Sequence, residues 1–224
     1  MIFPTKPTRR QIIWGIGYLF FELLALPLIL NLLPISLTIG KLNFLYFFIN
    51  FVAVTLIFRS YLIQSLRDAV RVLFPTFWCA LLGYLGYRLL SGMLAGLIVQ
   101  IRPQFVNMND VSVLYALSQD FVPMALGTIL LAPVAEETLF RGMIFRGLYD
   151  RSPLGAYAVS MAAFAAVHLI SYVGRMDSVM LLLSFLQYLP AGYCLCFAYR
   201  QSGNLLSPIL LHMFVNAVAV FSTR

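Results

Sequence analysis

Seven stretches of about twenty mostly apolar residues follow one another along this chain, each separated from the next by proline, glycine or charge. A helix needs a segment of that length to cross a hydrocarbon core of about 30 Å. The candidate spans are 11–33, 42–63, 76–99, 120–149, 154–172, 178–199 and 205–222. They are read as helices, because a lone strand in lipid leaves its backbone polar groups without partners. Composition agrees: the chain is 62% hydrophobic and 10% charged, against about 25% charged in a soluble domain. The expected fold is all-α, a multi-pass transmembrane bundle of about seven helices (six to eight). It is expected to form one integral membrane domain over 1–224, in the cell membrane, with lipid as the partner of most of its surface.

The net charge of +7 raises the question of nucleic acid. The basic residues are scattered between apolar runs, so no nucleic-acid partner is expected, and topology explains them better. With the N-terminus in the cytoplasm, the inside segments hold Lys6, Arg9, Arg10, Arg59, Arg67, Arg71, Arg141, Arg146, Arg151 and Arg200. The outside segments hold Lys41, Arg102, Arg175 and Arg224. Ten against four predicts an N-terminus inside, and nine against four does so even if Arg141 lies within the membrane. The basic start followed by an apolar run resembles a signal peptide, but lacks a small-residue cleavage site and reads as a retained first helix. Cys79, Cys194 and Cys196 all lie in apolar segments and read as packing residues. Segment 64–75 alternates charge with apolar residues and predicts an amphipathic turn along the inner interface. Segment 104–119 is the most polar loop and is expected to cover the outer face.

Three polar clusters interrupt the oil-like sequence, and ionisable groups inside a membrane point to function by default. The first is Glu136-Glu137-Thr-Leu-Phe-Arg141; the second is Phe164-Ala-Ala-Val-His168; the third is His212-Met-Phe-Val-Asn216. These two histidines are the only ones in the chain. Glu137 and Arg141 stand at i,i+4 with the acid first, the favourable order for an ion pair, which leaves Glu136 freer to react. At 1.5 Å per residue, Glu136 and His168 each lie about 21 Å along their helices from the inner boundary, and His212 and Asn216 roughly 10–17 Å. The clusters are expected to converge in the inner half of the bilayer. A rival placement ends the fourth helix at Pro133 and lays 134–149 along the interface; alternatively Pro133 only kinks a continuous helix.

A carboxylate in apolar surroundings suits a general base, and a histidine beside it would help to hold and deprotonate a water. A second histidine and an amide would donate to the oxyanion formed when water attacks a peptide carbonyl. That set would be complete for peptide hydrolysis with no cofactor. Glu136, His168 and His212 would equally suit Zn2+ with an open position, although His-Glu-x-x-His is absent. No Gly-x-Ser-x-Gly supports a serine nucleophile.

The ordered trio Glu136-Glu137-x-x-x-Arg141, Phe164-x-x-x-His168 and His212-x-x-x-Asn216 resembles the three motifs of the CAAX protease and bacteriocin-processing family, also called CPBP or Abi, of type II CAAX prenyl endopeptidase kind. The stretch Gly203-Asn-Leu-Leu-Ser-Pro ahead of His212 is similar to that family's lead-in. The resemblance makes 120–222 the catalytic core and 1–103 the variable N-terminal spans. It implies an intramembrane endopeptidase with a cavity open to the cytosol, acting on a membrane-associated or lipidated peptide or protein. By resemblance, Glu136 and His168 would activate water, and His212 and Asn216 would stabilise the oxyanion. Glu137 and Arg141 would support the site, and Phe164 would pack against it. Members of the family are described both as metal-dependent and as glutamate-type proteases. Two readings of other classes stand beside it: a non-proteolytic scaffold or bacteriocin self-immunity protein on the same fold, and a transporter relaying protons through the buried Glu and His.

Two charges lie outside this set. Glu22 and Arg88 each sit about eleven residues into a span that runs in the same direction, so an ion pair between them is expected, each offsetting the other's desolvation. Gly92-x-x-x-Gly96 suggests close packing within the bundle. The Tyr46-Phe-Phe48 run reads as lipid-facing or interfacial.

Overall fold

A computed structural model describes residues 5–32, 34 and 36–222. Every element among them is a helix. The membrane-length helices are α1 (Arg9–Asn31), α2 (Ile39–Ile57), α4 (Leu73–Ile101), α6 (Phe121–Tyr149), α7 (Pro153–Tyr172) and α8 (Ser178–Ser202). A shorter apolar helix, α9 (Leu206–Phe221), follows them. Two further helices are α3 (Arg59–Arg71) and α5 (Met108–Gln119). The expected multi-pass bundle is therefore found, with six helices of spanning length and a seventh that is shorter. The expected end of the first span at Leu33, and Arg224 of the charge count, lie outside the described residues.

Local chemistry sets the helix ends. Thr8 and Gln11 form a reciprocal capping box at the start of α1. The Gln11 amide then donates to the Ile57 carbonyl and to Ser60 Oγ, fastening α1 to the break between α2 and α3. That break falls at Phe58, so the span expected to run to 63 stops short and the residues after it belong to α3. Ser152 caps α7, with Pro153 at its first turn. α8 ends at Gly203, whose φ of 71° suits a residue without a Cβ. The polar segment 104–119 is mostly helical, as α5, and not a loop. The 64–75 segment lies mostly in the amphipathic α3, which buries Tyr61, Ser65 and Ala69 at i,i+4,i+8.

Two prolines widen the turns that precede them. Pro133 has no N–H, and the Ala132 N–H reaches back five residues to the Gly127 carbonyl, making a π-helical turn over Gly127–Leu131. Pro27 follows a π-helical turn over Phe21–Ala25 in the same way. Helix α6 continues through Pro133 to Tyr149, so the proline distorts the helix without ending it, and 134–149 does not lie apart along an interface. Half of the most apolar stretch of α6 is buried, against 11–33% for the other five long helices, which makes α6 the central helix.

The bundle has two distinct ends. At one, Lys6 pairs with Asp150, Thr5 donates to Asp68, Asn204 donates to Thr76 at 2.9 Å, and the Leu205 N–H donates to Ser65 Oγ at 2.7 Å. At the other, Lys41 faces Asp120, Arg102 faces Asp177, and Ser112 meets Tyr172. Of the ten basic residues counted above on one side, Arg141 lies in the core and the remaining nine fall at the Lys6 end. Lys41, Arg102 and Arg175 fall at the opposite end. We refer to these as the basic end and the far end.

Candidate active site

Glu136 and Glu137 sit at the end of a regular turn of α6, directly before a second π-helical stretch, Thr138–Phe145. Adjacent helical residues point about 100° apart, so the two carboxylates face different surroundings. Glu137 is fully buried, and its Oε1 accepts from Arg141 Nη1 at 3.1 Å and from His212 Nδ1 at 2.8 Å. Arg141, also fully buried, donates through Nη2 to the Gly192 carbonyl and lies 4.5 Å over the Phe164 ring. The i,i+4 pair expected from the sequence is thus the floor of the site, with both charges matched inside protein.

Glu136 points into a cavity of about 710 Å3. Its Oε2 is buried without a hydrogen-bond partner, and lies 4.0 Å from His168 Nε2 and 4.0 Å from His212 Nε2. Both rings are fixed at the other nitrogen. His168 Nδ1 donates to the Phe164 carbonyl at 2.8 Å and His212 Nδ1 to Glu137. Each neutral ring therefore presents Nε2 as an acceptor towards Glu136. A gap of 4.0 Å is too long for a direct hydrogen bond but suits a single water, whose two protons reach the carboxylate and one neutral ring.

Asn216, one turn beyond His212, lines the same cavity. Its amide donates at 2.8 Å to the Thr128 carbonyl. That carbonyl is free because Ala132 N–H is diverted to Gly127 and residue 133 is a proline. One amide hydrogen is held there and the other remains for a ligand. Phe164 does more than pack. It meets the His212 ring edge-on at 5.7 Å and the His168 ring at 4.8 Å, and its carbonyl orients His168. All seven residues of the three motifs therefore meet at one place. Sequence reasoning missed Tyr188, whose ring stacks on His168 at 4.6 Å, and Thr128. Pro133 is the signal for Thr128; nothing local marks Tyr188.

Two expectations need correction. Glu22 and Arg88 both line the cavity but form no ion pair. Glu22 Oε1 instead accepts from Tyr46 at 3.2 Å and Asn50 at 3.1 Å, because α2 packs on α1 and supplies those donors closer than α4 does. This also takes Tyr46 out of the lipid-facing set. Second, an added Cβ at Gly92 or Gly96 meets nothing within 4 Å, so this pair is not a close helix contact. The cavity does not extend toward the basic end. From Glu136 it runs toward the far end, where exposed Leu114, Ala219 and Ser222 form part of its wall. On the basic side, Leu139, Met143, Phe145, Tyr61 and Tyr199 fill the interior and are all buried.

Zinc fits this geometry poorly. Tetrahedral ligands at about 2.0–2.1 Å stand roughly 3.3 Å apart, short of the 4.0 Å spacings here. Among the described residues no group of three His, Cys, Asp or Glu is close enough to hold a metal.

A carboxylate and two oriented imidazoles thus stand around one water-sized gap, in a cavity walled by helices long enough to span a membrane. Residues 118–218 match the family model described as Type II CAAX prenyl endopeptidase Rce1-like. The match covers just under half of the chain's length and supports, in general terms, a CAAX-type intramembrane endopeptidase. No curated protein and no solved structure matches the chain.

Proposed function

We propose that the protein hydrolyses peptide bonds of membrane-associated or lipidated substrates by a glutamate-type mechanism. The observation that carries this reading is the unpartnered Glu136 Oε2, equidistant at 4.0 Å from two imidazole Nε2 atoms. A water in that gap donates one proton to Glu136 and the other to His168 Nε2. Its oxygen attacks the carbonyl carbon while Glu136 takes its proton. The carbonyl oxygen becomes an oxyanion facing the free Asn216 N–H and, on a doubly protonated His212 ring, Nε2–H. Glu137, at His212 Nδ1, supplies the countercharge for that ring. Glu136 then returns its proton to the departing amine as the C–N bond breaks. Glu137, Arg141 and Phe164 position the two rings and do not touch substrate.

Tested against a library of lipidated and membrane peptides, the purified protein is expected to cleave a subset, with new termini visible by mass spectrometry. Glu136→Gln and His168→Ala are expected to lose that activity, and wild type to stay active under strict chelation. Unchanged activity in both variants would sink the assignment, and loss on chelation would favour a metal-dependent protease instead. Cell function persisting in both variants would favour a scaffold or immunity role.

A further inference from the structure

We infer that Glu22 is a substrate-binding residue, which takes the positively charged side chain of a substrate lysine or arginine at a subsite of the cavity that holds Glu136. That the ligand is a substrate rests on the protease reading above; the cation site itself does not. An acid part-way along a spanning helix is costly unless it meets a partner inside the protein. The neighbours of Glu22 on α1, Phe20, Phe21 and Leu24, are exposed, whereas Glu22 lines the cavity. It stands in the π-helical turn Phe21–Ala25, and such turns are frequent at functional sites.

The surroundings of Glu22 fix one carboxylate oxygen and leave the other. The Tyr18 hydroxyl donates to Asn50 Oδ1, which turns the Asn50 amide nitrogen toward Glu22. That nitrogen donates to Glu22 Oε1 at 3.1 Å, and the Tyr46 hydroxyl donates to the same oxygen at 3.2 Å. Oε2 is buried, and no donor among the described residues reaches it. A buried acceptor without a donor is expensive, and more so when it carries charge. The side chain is thus held from behind by α1 and α2, with one oxygen left for a donor from elsewhere.

The charge of the cavity selects what that donor is. Glu22, Asp110 and Glu136 line it against Arg88 alone, while Glu137 is matched by Arg141 beneath. Three acids against one base favour a cation over a neutral group. Arg88 does not fill the role, since Glu22 takes its hydrogen bonds from Tyr46 and Asn50. A lysine or arginine side chain brings both the charge and the N–H groups that Oε2 lacks. Its methylene stem suits the apolar wall that Leu23, Leu117 and Val215 contribute.

Glu22→Gln is the discriminating variant. Its amide oxygen still accepts from Tyr46 and Asn50, while an N–H group replaces Oε2 and opposes a cation. In the first arm, lysine is compared with norleucine at each position around the scissile bond of a cleaved peptide. Wild type is expected to favour lysine at one position by at least about tenfold in kcat/KM, the scale of one charge-assisted hydrogen bond. Glu22→Gln is expected to lose that preference. The second arm needs no cleavage: decylammonium should raise the melting temperature of the purified protein more than decanol does, and Glu22→Gln should erase the difference. Glu22→Asp keeps the charge but withdraws it by one methylene, so it should shrink both effects, and it replaces Glu22→Gln should that variant not fold. Equal kcat/KM for the two peptides at every position overturns the subsite, as does a lysine preference or a decylammonium shift undiminished in the variants. If no peptide is cleaved, the protease reading fails and the decylammonium arm decides the cation site by itself.

Discussion

His212 Nδ1 donates to Glu137 Oε1 at 2.8 Å, and through that carboxylate the ring is linked to Arg141. The second glutamate of the pair is therefore a positioning group, while the first is left to react. Removing either partner leaves the other charge buried and unmatched. Glu137→Gln and Arg141→Met are each expected to cost about 3–5 kcal/mol of stability. The double variant should cost clearly less than the sum, because the two share one interaction. Thermal unfolding in detergent of the two single variants and the double checks this, and strict additivity would contradict the linkage.

Asn216 carries a different signature. Its amide is anchored on the Thr128 carbonyl, on the cavity side of the π-helical turn. If its second N–H serves the oxyanion, Asn216→Ala lowers kcat by about 10²–10³-fold, the range for losing one oxyanion donor, with little change in KM. A change confined to KM would make Asn216 a binding group.

The helix framework and the three motif clusters were legible because they depend on local spacing: twenty-residue apolar runs, and polar partners at i,i+4 on single helices. The pairing of Glu137 with Arg141 followed from that spacing alone. What was not legible depended on neighbours. Glu22 found Tyr46 and Asn50 because α2 packs on α1, a fact about assembly that no window of sequence contains. Tyr188 reached His168 from α8, and Thr128 was released by a proline five residues on. The direction in which the cavity extends was set by which end the large buried side chains of α6 fill.

The separation of Glu22 from Arg88 gives a third expectation. The two groups share no hydrogen-bond partner, so the stability effects of Glu22→Gln and Arg88→Gln should add to within about 0.5 kcal/mol. A double variant no worse than one single would restore the ion pair.

Asp150 lies outside the spans at the basic end, where hydrogen bonding from Lys6, and then from Arg146, holds its carboxyl below the usual aspartate range. A lowered folded-state value gives stability that is present above the unfolded value, about 3.9. That stability is lost as pH falls through the folded value. Wild type and Asp150→Asn should therefore differ in melting temperature at pH 6 and converge below the ordinary aspartate range. A gap that persists into strong acid would mean the residue acts through packing.

Glu136 remains the centre of the account, and one ratio tests it: kcat of wild type over kcat of Glu136→Gln on a single cleaved peptide, under chelation, with the melting temperature measured alongside. The carboxylate has no partner to lose at Oε2, so the fold should be unaffected. The account predicts a fall in kcat of at least about 10²-fold at unchanged melting temperature. Equal rates in the two proteins would contradict it.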